Sequence, residues 1–210
     1  MGFAFTASTL GLGGQAAVSL SERVNVRGGF NVFGYSRTFD REGLDYDGRL
    51  KLRSVEAIVD WFPFGGAFHL SPGVLLYNGN RFDATLNVPA GDTFDLGDAK
   101  YRSNPADPVR GGGEINLNKA APMILYGWGN LVPRTRHFTV AFESGVAFHG
   151  TPKATLNFTG SVCDVSGANC RGVNDAEFQS NVRREQDEVN DDASPFRVWP
   201  IIRLSVAYRF

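Results

Sequence analysis

Two residues with the chemistry of a hydrolase lie close together in the stretch FHLSP, at Phe68–Pro72. His69 has the side chain of a general base for a Ser71 nucleophile, and Glu143 would supply the acid that orients the histidine. Residues two apart on a strand are ~6–7 Å apart, whereas a base must approach its nucleophile to ~2.6–3.2 Å. We therefore predict that these residues are not catalytic and that the chain is not an enzyme.

The other motifs indicate neither a cofactor nor a metal. The segment GLGGQA at Gly11–Ala16 has the form of a dinucleotide-binding glycine pattern, but it lies in a strand-like segment and no helix follows it. The chain contains no G-x-S-x-G, H-E-x-x-H, C-x-x-C or P-loop pattern. Four acidic residues fit no EF-hand spacing and are interpreted as solvated carboxylates: Asp92, Asp95, Asp98 and Asp107.

Charged residues of both signs share one side of several alternating segments. They are Arg27, Arg37, Lys51, Arg53, Glu56, Asp60, Glu143, Arg203 and Arg209. Glycine, serine and alanine share this side with them, which suits a crowded interior. Because buried charges must be paired, the pattern predicts an internal network of salt bridges.

The segments that position these charges have the two-residue period of a β-strand. In the stretch RVNVRGGFNVF, for example, Val24, Val26 and Phe30 fall on one side and Arg27 on the other. The same alternation marks segments near residues 9–20, 138–148 and 201–210. In LKLRSVEAIVDWF the phase slips, and a bulge near Arg53–Ser54 would reconcile its two halves.

The apolar side of these strands carries phenylalanine, valine, leucine and isoleucine with almost no charge. An apolar exterior around a polar, closely packed interior is typical of a membrane barrel. The alternative is a soluble sandwich or ligand-binding barrel with a solvated outer face.

Short turns and long polar stretches alternate along the chain. Turns are predicted at 21–24, 63–67 and 133–136, and long loops at about 37–48, 81–118 and 150–196. In the last loop, Asn174 and Glu177 have the spacing of a capping box. Phe178, Val182 and Val189 follow at near-helical spacing, which predicts a short amphipathic helix in this loop.

Composition narrows the class further. The formal net charge of −1 gives no reason to expect nucleic acid binding. No apolar stretch approaches the ~20 residues of a membrane helix, but a spanning strand needs only ~9–11.

Cys163 and Cys170 are expected to form a disulfide in an oxidising compartment, with two unpaired thiols as the alternative. No signal peptide is visible, so the chain is either cytosolic or a mature exported protein with an added Met.

Three stretches resemble the small outer membrane barrels of Gram-negative bacteria, in the broad OmpA-like and OmpW-like group. They are TLGLGGQAAVSLSERVNVRGGFN (9–31), DWFPFGGAFHLSPGVLLYNGN (60–80) and VAYRF (206–210). The resemblance implies an all-β fold, an antiparallel transmembrane β-barrel of about eight strands. That barrel would form one domain over 1–210 and lie in the cell outer membrane.

The resemblance also has implications for partners. It implies that Tyr208 and Phe210 belong to the signal read by the barrel assembly machinery. Outer membrane lipids and lipopolysaccharide are further expected partners, and we expect a monomer. Seven spanning segments are clear, and an even barrel needs one more. That strand lies either upstream or at KATLNFTGSV, Lys153–Val162.

The main functional hypothesis is a non-enzymatic barrel whose lumen is plugged by paired charges. Its role would be structural, a surface contact, or the passage of a small ligand. The alternatives are a narrow channel for small solutes and a lipid A-modifying enzyme built on His69, Ser71 and Glu143.

Overall fold

The computed structural model describes residues 1–41 and 44–210, which form fifteen β-strands and one α-helix. The first eight strands are β1 (Gly2–Ser8), β2 (Gly11–Ser19), β3 (Val24–Arg41), β4 (Leu44–Trp61), β5 (Phe68–Asn78), β6 (Arg81–Asn87), β7 (Thr93–Leu96) and β8 (Ala99–Ser103). The other elements are β9 (Arg110–Asn116), β10 (Ala121–Trp128), β11 (Phe138–Phe148), β12 (Lys153–Thr159), β13 (Ser161–Cys163), β14 (Arg171–Gly172), α1 (Ala176–Ala193) and β15 (Val198–Arg209). Within the described ranges, no helix is long and apolar enough to cross a membrane.

Eight of the strands close into an antiparallel ring. The order around it is β4, β3, β2, β1, β15, β11, β10 and β5, and β5 pairs with β4 to complete the circle. Closure gives each strand of the ring a hydrogen-bonding partner on both sides, as a sheet must have inside a hydrocarbon layer. The predicted eight-stranded antiparallel barrel is therefore confirmed.

The two ends of the barrel differ. Both chain termini and three short connections, at 20–23, 62–67 and 129–137, lie at one end, which we call the turn end. The opposite end, the lobe end, carries the tight turn at Thr9–Leu10 and the long excursions of the chain. Short turns at one end and long connections at the other are the arrangement of a membrane barrel.

The eighth strand is β1, which the alternation pattern missed. It pairs with β2 and with β15, so the ring closes without a strand from elsewhere. Ser8 braces the turn to β2 by accepting from the Leu10 amide, and Gly11 follows with a φ of +114° that favours glycine. The suggestion that Lys153–Val162 crosses the membrane is wrong, because β12 pairs with β9 beyond the ring.

Apolar side chains cover the outside of the ring and remain largely exposed. Phe5 and Val140 are each 61% exposed, for instance, although they belong to well-paired strands. The same outward belt includes Phe3, Leu12, Val18, Val26, Phe30, Val32, Val55, Val59, Ile124, Phe142, Ile202, Leu204 and Val206. So large an exposed apolar surface requires an apolar solvent, and it fits the lipid-facing band of a membrane barrel.

Aromatic rings gather at the turn end of this belt. The ring centroids of Tyr208 and Phe210 are 4.9 Å apart, and those of Phe138 and Tyr208 are 5.0 Å apart. Phe68 packs against Trp128 on another part of the circumference, at 5.6 Å. Such a girdle is expected where a barrel meets the membrane–water interface.

Beyond the lobe end the chain folds into a second body, which we call the outer lobe (residues 35–41, 44–51, 79–120 and 149–197). Its main sheet extends the upper parts of β3 and β4 with β6, β9 and β12. A small sheet of β14, β13, β8 and β7 packs nearby. Their shared core of buried side chains is Val88, Phe94, Leu96, Tyr101, Val109, Val162, Val173, Phe178 and Val182.

The stretches predicted as long loops are thus largely folded. The stretch at 37–48 is the end of the β3–β4 hairpin, with residues 42–43 outside the described part of the chain. Helix α1 occurs where a helix was predicted, but its N-cap is Asp175 rather than Asn174. The Asp175 side chain accepts from the amides of Glu177 and Phe178, which satisfies helix donors that have no partner within the helix.

The outer edge of the lobe sheet is covered by α1. The side chains of Gln186 and Asn190 accept from the edge-strand amides of Leu156 and Ala154, at 3.1 and 2.8 Å. Four residues of helix rise ~6 Å and two residues of strand rise ~6.6 Å, so the two repeats match. The helix therefore protects a strand edge that would otherwise present unpaired donors.

The predicted bulge at Arg53–Ser54 is wrong, because the inward side chains of β4 alternate without a phase slip from Leu52 to Asp60. The register between β3 and β4 is continuous over both strands. An irregularity lies opposite Val55 and Glu56, where β5 skips Leu76. Leu76 and Tyr77 both face outward in consequence, and Asn78 turns inward. The correction places Leu52 inside and Arg53 outside.

Candidate functional site in the barrel lumen

Two buried ion pairs cross the lumen of the ring. Arg27 on β3 donates to both carboxylate oxygens of Glu143 on β11, with one of these bonds at 2.9 Å. Arg203 on β15 donates to Glu56 on β4 at 2.7 Å. In the order of the ring, each pair joins strands that are four positions apart, on opposite sides of the barrel.

Polar side chains link the two ion pairs into one cluster. Gln15 accepts from Arg27 at 2.8 Å and donates to Glu56 at 2.6 Å. Arg27 also donates to Asp60 at 3.0 Å, and Asp60 accepts from Ser71 at 2.7 Å. Arg203 approaches Glu143 to 3.5 Å, within ion-pair distance. We call this set, together with His69, the lumen cluster.

The lumen cluster is almost fully removed from water. The side chains of Arg203 and Glu56 are 0% exposed, and those of Arg27 and Glu143 are 1% exposed. Two guanidinium groups face three carboxylates, and His69 adds a positive charge when it is protonated. Nε and Nη1 of Arg203 have no hydrogen-bond partner among the described residues, so pairing offsets only part of the cost of burying this residue.

Glycines make room for these long side chains. A Cβ at Gly127, which lies opposite Glu143, would be 2.9 Å from Glu143 Cγ. A Cβ at Gly29 would be 2.6 Å from Gln15 Cγ. The small residues that share the polar side of the strands in the sequence therefore have a steric role beside the lumen cluster.

Apolar layers lie above and below the cluster. One layer lies mostly toward the lobe end, with Ile58 between Glu56 and Asp60 of the cluster on β4. Its buried side chains are Leu10, Ile58, Leu75, Ala121, Met123, Leu125, Ala147 and Ile201. Toward the turn end, they are Ala4, Ala17, Leu131, Val132, Ala141 and Ala207. The lumen is packed along its length, as expected for eight strands, whose interior is just wide enough for side chains.

Three side chains of the lumen cluster lie close enough together to be examined as possible ligands of a metal ion. The ligand atoms of Asp60, His69 and Glu143 all lie within 4.8 Å of one another. Arg27, however, donates to both carboxylates. Its guanidinium takes the position that a cation would need, so the group is explained as part of an ion-pair cluster.

The geometry does not support a hydrolase site. His69 and Ser71 face the lumen and are 3% and 0% exposed, so neither meets the lipid phase. Ser71 donates to Asp60, while His69 Nε2 lies 3.3 Å from Glu143. The histidine and the serine thus have different partners and do not form a nucleophile–base pair.

Of the nine charges predicted for the lumen, the structure brings five together: Arg27, Glu56, Asp60, Glu143 and Arg203. The other four lie elsewhere. Arg37 is exposed on the upper part of β3, and Lys51 pairs with Asp83 of the outer lobe. Arg53 faces outward at the lobe end. Arg209 lies at the turn end and donates to the carbonyls of Pro133 and Arg134 instead of to an acid.

Sequence reasoning missed two contributors to the cluster. Gln15 carries no charge and was not among the residues predicted for the network, yet it links both ion pairs. His69 was considered as a general base for Ser71 and rejected, but it was not predicted to join the charge network, whereas its ring is buried beside Glu143. A polar amide that alternates with glycines was the available signal for Gln15.

The remaining predicted sites lie outside the lumen. Cys163 and Cys170 form a disulfide in the outer lobe, as predicted. Tyr208 and Phe210 lie in the aromatic girdle at the turn end. Their role as an assembly signal stays a prediction.

Comparison with known proteins shows the fold. No family profile matches the sequence, and no curated protein is similar to it. Two solved structures from Acinetobacter baumannii, CarO and CarO2, are similar over 100% of this chain and 97% of theirs, with 20% and 19% identity and TM-scores of 0.59 and 0.60. A major outer membrane protein of Thermus thermophilus is also similar, at 13% identity and a TM-score of 0.35, over 100% of this chain and 99% of that one.

The closed ring and its lipid-facing belt define the chain as an outer membrane β-barrel protein. More particularly, its eight-stranded ring and outer lobe give it the fold seen in the CarO structures.

Proposed function

We propose that this protein is a sealed outer membrane barrel that holds a folded lobe at the cell surface, without enzymatic activity and in a surface-contact role. One observation carries the proposal: charged side chains span the lumen from opposite walls, between two apolar layers. The charges bind one another, so they are not available to guide a solute through the barrel.

The construction of the outer lobe supports a role in surface contact. It has its own apolar core, a disulfide and a helix that covers the edge of its sheet. Arg184 of α1 donates to Asp98, and Glu185 accepts from the Gly97 amide at 3.0 Å, so the helix is held against the small sheet. A lobe ordered in this way presents a fixed surface, which favours recognition because little entropy is lost on binding.

Conductance in planar bilayers tests the sealed barrel. Purified protein whose assembly is verified by heat-modifiable migration on a gel should insert without discrete conductance steps. Reproducible steps from the native protein would overturn the proposal in favour of a narrow channel.

The mass of lipid A tests the absence of enzymatic activity. Expression of the protein in a Gram-negative host should leave the lipid A mass unchanged, because His69 and Ser71 are enclosed in the lumen. A mass change that disappears in His69→Ala would identify the protein as a lipid-modifying enzyme.

A further inference from the structure

A basic cleft of about 570 Å³ lies on the wall of the protein at the lobe end. It occurs where β4 exchanges one neighbour for another: Ser54 pairs with Asn78 of β5, while Lys51 pairs with Arg81 of β6. Gly79 and Asn80 bridge this fork through bonds to the backbone of Arg53. We call it the rim cleft; its lining includes Lys51, Arg53, Tyr77, Asn80, Arg81 and Lys119.

The rim cleft has an excess of positive charge. Lys51 and Arg81 lie 2.7 and 3.4 Å from Asp83, and Arg81 is 3.7 Å from Glu114. Arg53 and Lys119 are exposed, and neither has an acidic partner among the described residues. Four cations therefore meet two carboxylates here, in a chain whose formal net charge is −1.

The position of the rim cleft matches a membrane interface. On β4, Arg53 faces the same outer side as Val55, Val59 and Trp61, and Trp61 lies at the turn end. Arg53 is eight residues from Trp61, ~26 Å along the strand, or ~20 Å along the membrane normal after the usual strand tilt. Since the apolar band of such barrels is ~25 Å tall, Arg53 lies within ~5 Å of its upper edge. Tyr77 lines the same cleft as Arg53, and Leu76 precedes it on the outer side of β5; both side chains are more than half exposed.

We propose that the rim cleft binds the phosphorylated headgroup of a glycolipid in the outer leaflet. The guanidinium of Arg53 and the ammonium of Lys119 supply the unpaired charges for a phosphate, and guanidinium groups bind phosphate oxygens in pairs. Leu76 and Tyr77 give the acyl chains an apolar surface next to the headgroup. This requires the lobe end to face outside, and it does not depend on a sealed lumen.

The test uses the full protein in detergent micelles, with bound lipid counted by native mass spectrometry. Bisphosphorylated lipid A should bind, and the same lipid stripped of its phosphates should bind at least ~10-fold more weakly. The double variant Arg53→Ala/Lys119→Ala should lower the affinity for lipid A by a similar factor. Arg110→Ala/Lys100→Ala, which removes the same two charge types from exposed positions of the lobe that do not line the cleft, should bind as the native protein does.

Several results would overturn the proposal. One is unchanged lipid A affinity in the double variant, and another is equal binding of the dephosphorylated lipid. If inorganic phosphate displaces lipid A at equal concentration, the cleft is a site for a free anion and not for a lipid. Should Arg53→Ala impair assembly on a heat-modifiability gel, the single variant Lys119→Ala provides the same comparison, since the Lys119 side chain has no acidic partner to lose among the described residues.

Discussion

Arg27 and Glu143 are bound to each other from opposite walls of the barrel, although 116 residues separate them in the chain. Arg203 and Glu56 span the same interior in the same way. Strands that share no hydrogen bonds are joined through these pairs, so the cross-section of the ring is held by side chains as well as by its backbone.

Removal of one partner from the ion pair of Arg203 and Glu56 should strongly destabilise the barrel. Arg203→Met leaves Glu56 buried with Gln15 as its one hydrogen-bond partner among the described residues, and we expect a loss of about 3–5 kcal/mol in the free energy of unfolding. Urea unfolding in micelles, followed by gel mobility, measures this quantity. The double variant Arg203→Met/Glu56→Leu should lose less than the sum of the single variants. Strict additivity would show that the two residues are not coupled.

The lobe end should face the outside of the cell. Ala106 is exposed in the outer lobe and Thr135 is exposed at the turn end, so each accepts a cysteine as a reporter. A membrane-impermeant maleimide should label Ala106→Cys on intact cells and Thr135→Cys only after permeabilisation. The two native cysteines form a disulfide and give little background. The reverse labelling pattern would contradict this orientation and the rim cleft proposal with it.

Helix α1, which covers the edge of β12, should slow hydrogen exchange at the amides of that strand. In Gln186→Ala/Asn190→Ala, the amides of Leu156 and Ala154 lose their acceptors, and each lost bond should cost about 1 kcal/mol. Hydrogen exchange at these two amides should accelerate by roughly 5- to 10-fold, following that cost. Asp187→Ala/Glu188→Ala, on the exposed side of the same helix, should leave the exchange unchanged.

The loop closed by the Cys163–Cys170 disulfide should lose protection from hydrogen exchange at low pH. The pKa of Asp164 lies below its ordinary value because Ser166 donates to its carboxylate, as do the Ala168 amide and the Asn169 side chain. A carboxyl whose pKa is depressed by folding adds stability above its unfolded pKa and loses it as the pH falls through the folded value. Protection of the Ala168 amide from hydrogen exchange should therefore be constant between about pH 7 and pH 5 and decline below about pH 4. Asp164→Asn should abolish this dependence, and a native-like decline in that variant would rule out Asp164 as the cause.

The alternation of polar and apolar residues was enough to place Arg27, Glu143 and Arg203 inside the ring, because every second side chain of a strand faces the same way. It could not reveal which charges meet, since the pairs depend on how the ring closes. Lys51 and Arg53 were misplaced because a bulge was predicted at Arg53–Ser54, whereas β4 keeps one alternation and both residues lie on its outer side. Arg37 was misplaced because β3 has 18 residues and extends well beyond the membrane. The same alternation continues there, but the inner side of the strand then faces the outer lobe.

The strand β1 was missed for a different reason. The turn at Thr9–Leu10 contains no proline or asparagine, and its geometry depends on Ser8 and on Gly11 that follows it. Leu10 continues the apolar alternation of β2, although its side chain is fully buried. Only the closed ring distinguishes two short strands from one.

The long hairpin of β3 and β4 has a mechanical consequence. Both strands belong to the ring at the turn end and to the sheet of the outer lobe at the other end, paired in one continuous register. A force applied to the lobe is therefore transmitted as shear along this ladder into the barrel wall. The lobe must turn with the barrel in the plane of the membrane, and whatever binds the lobe also restrains the rotation of the barrel among its lipids.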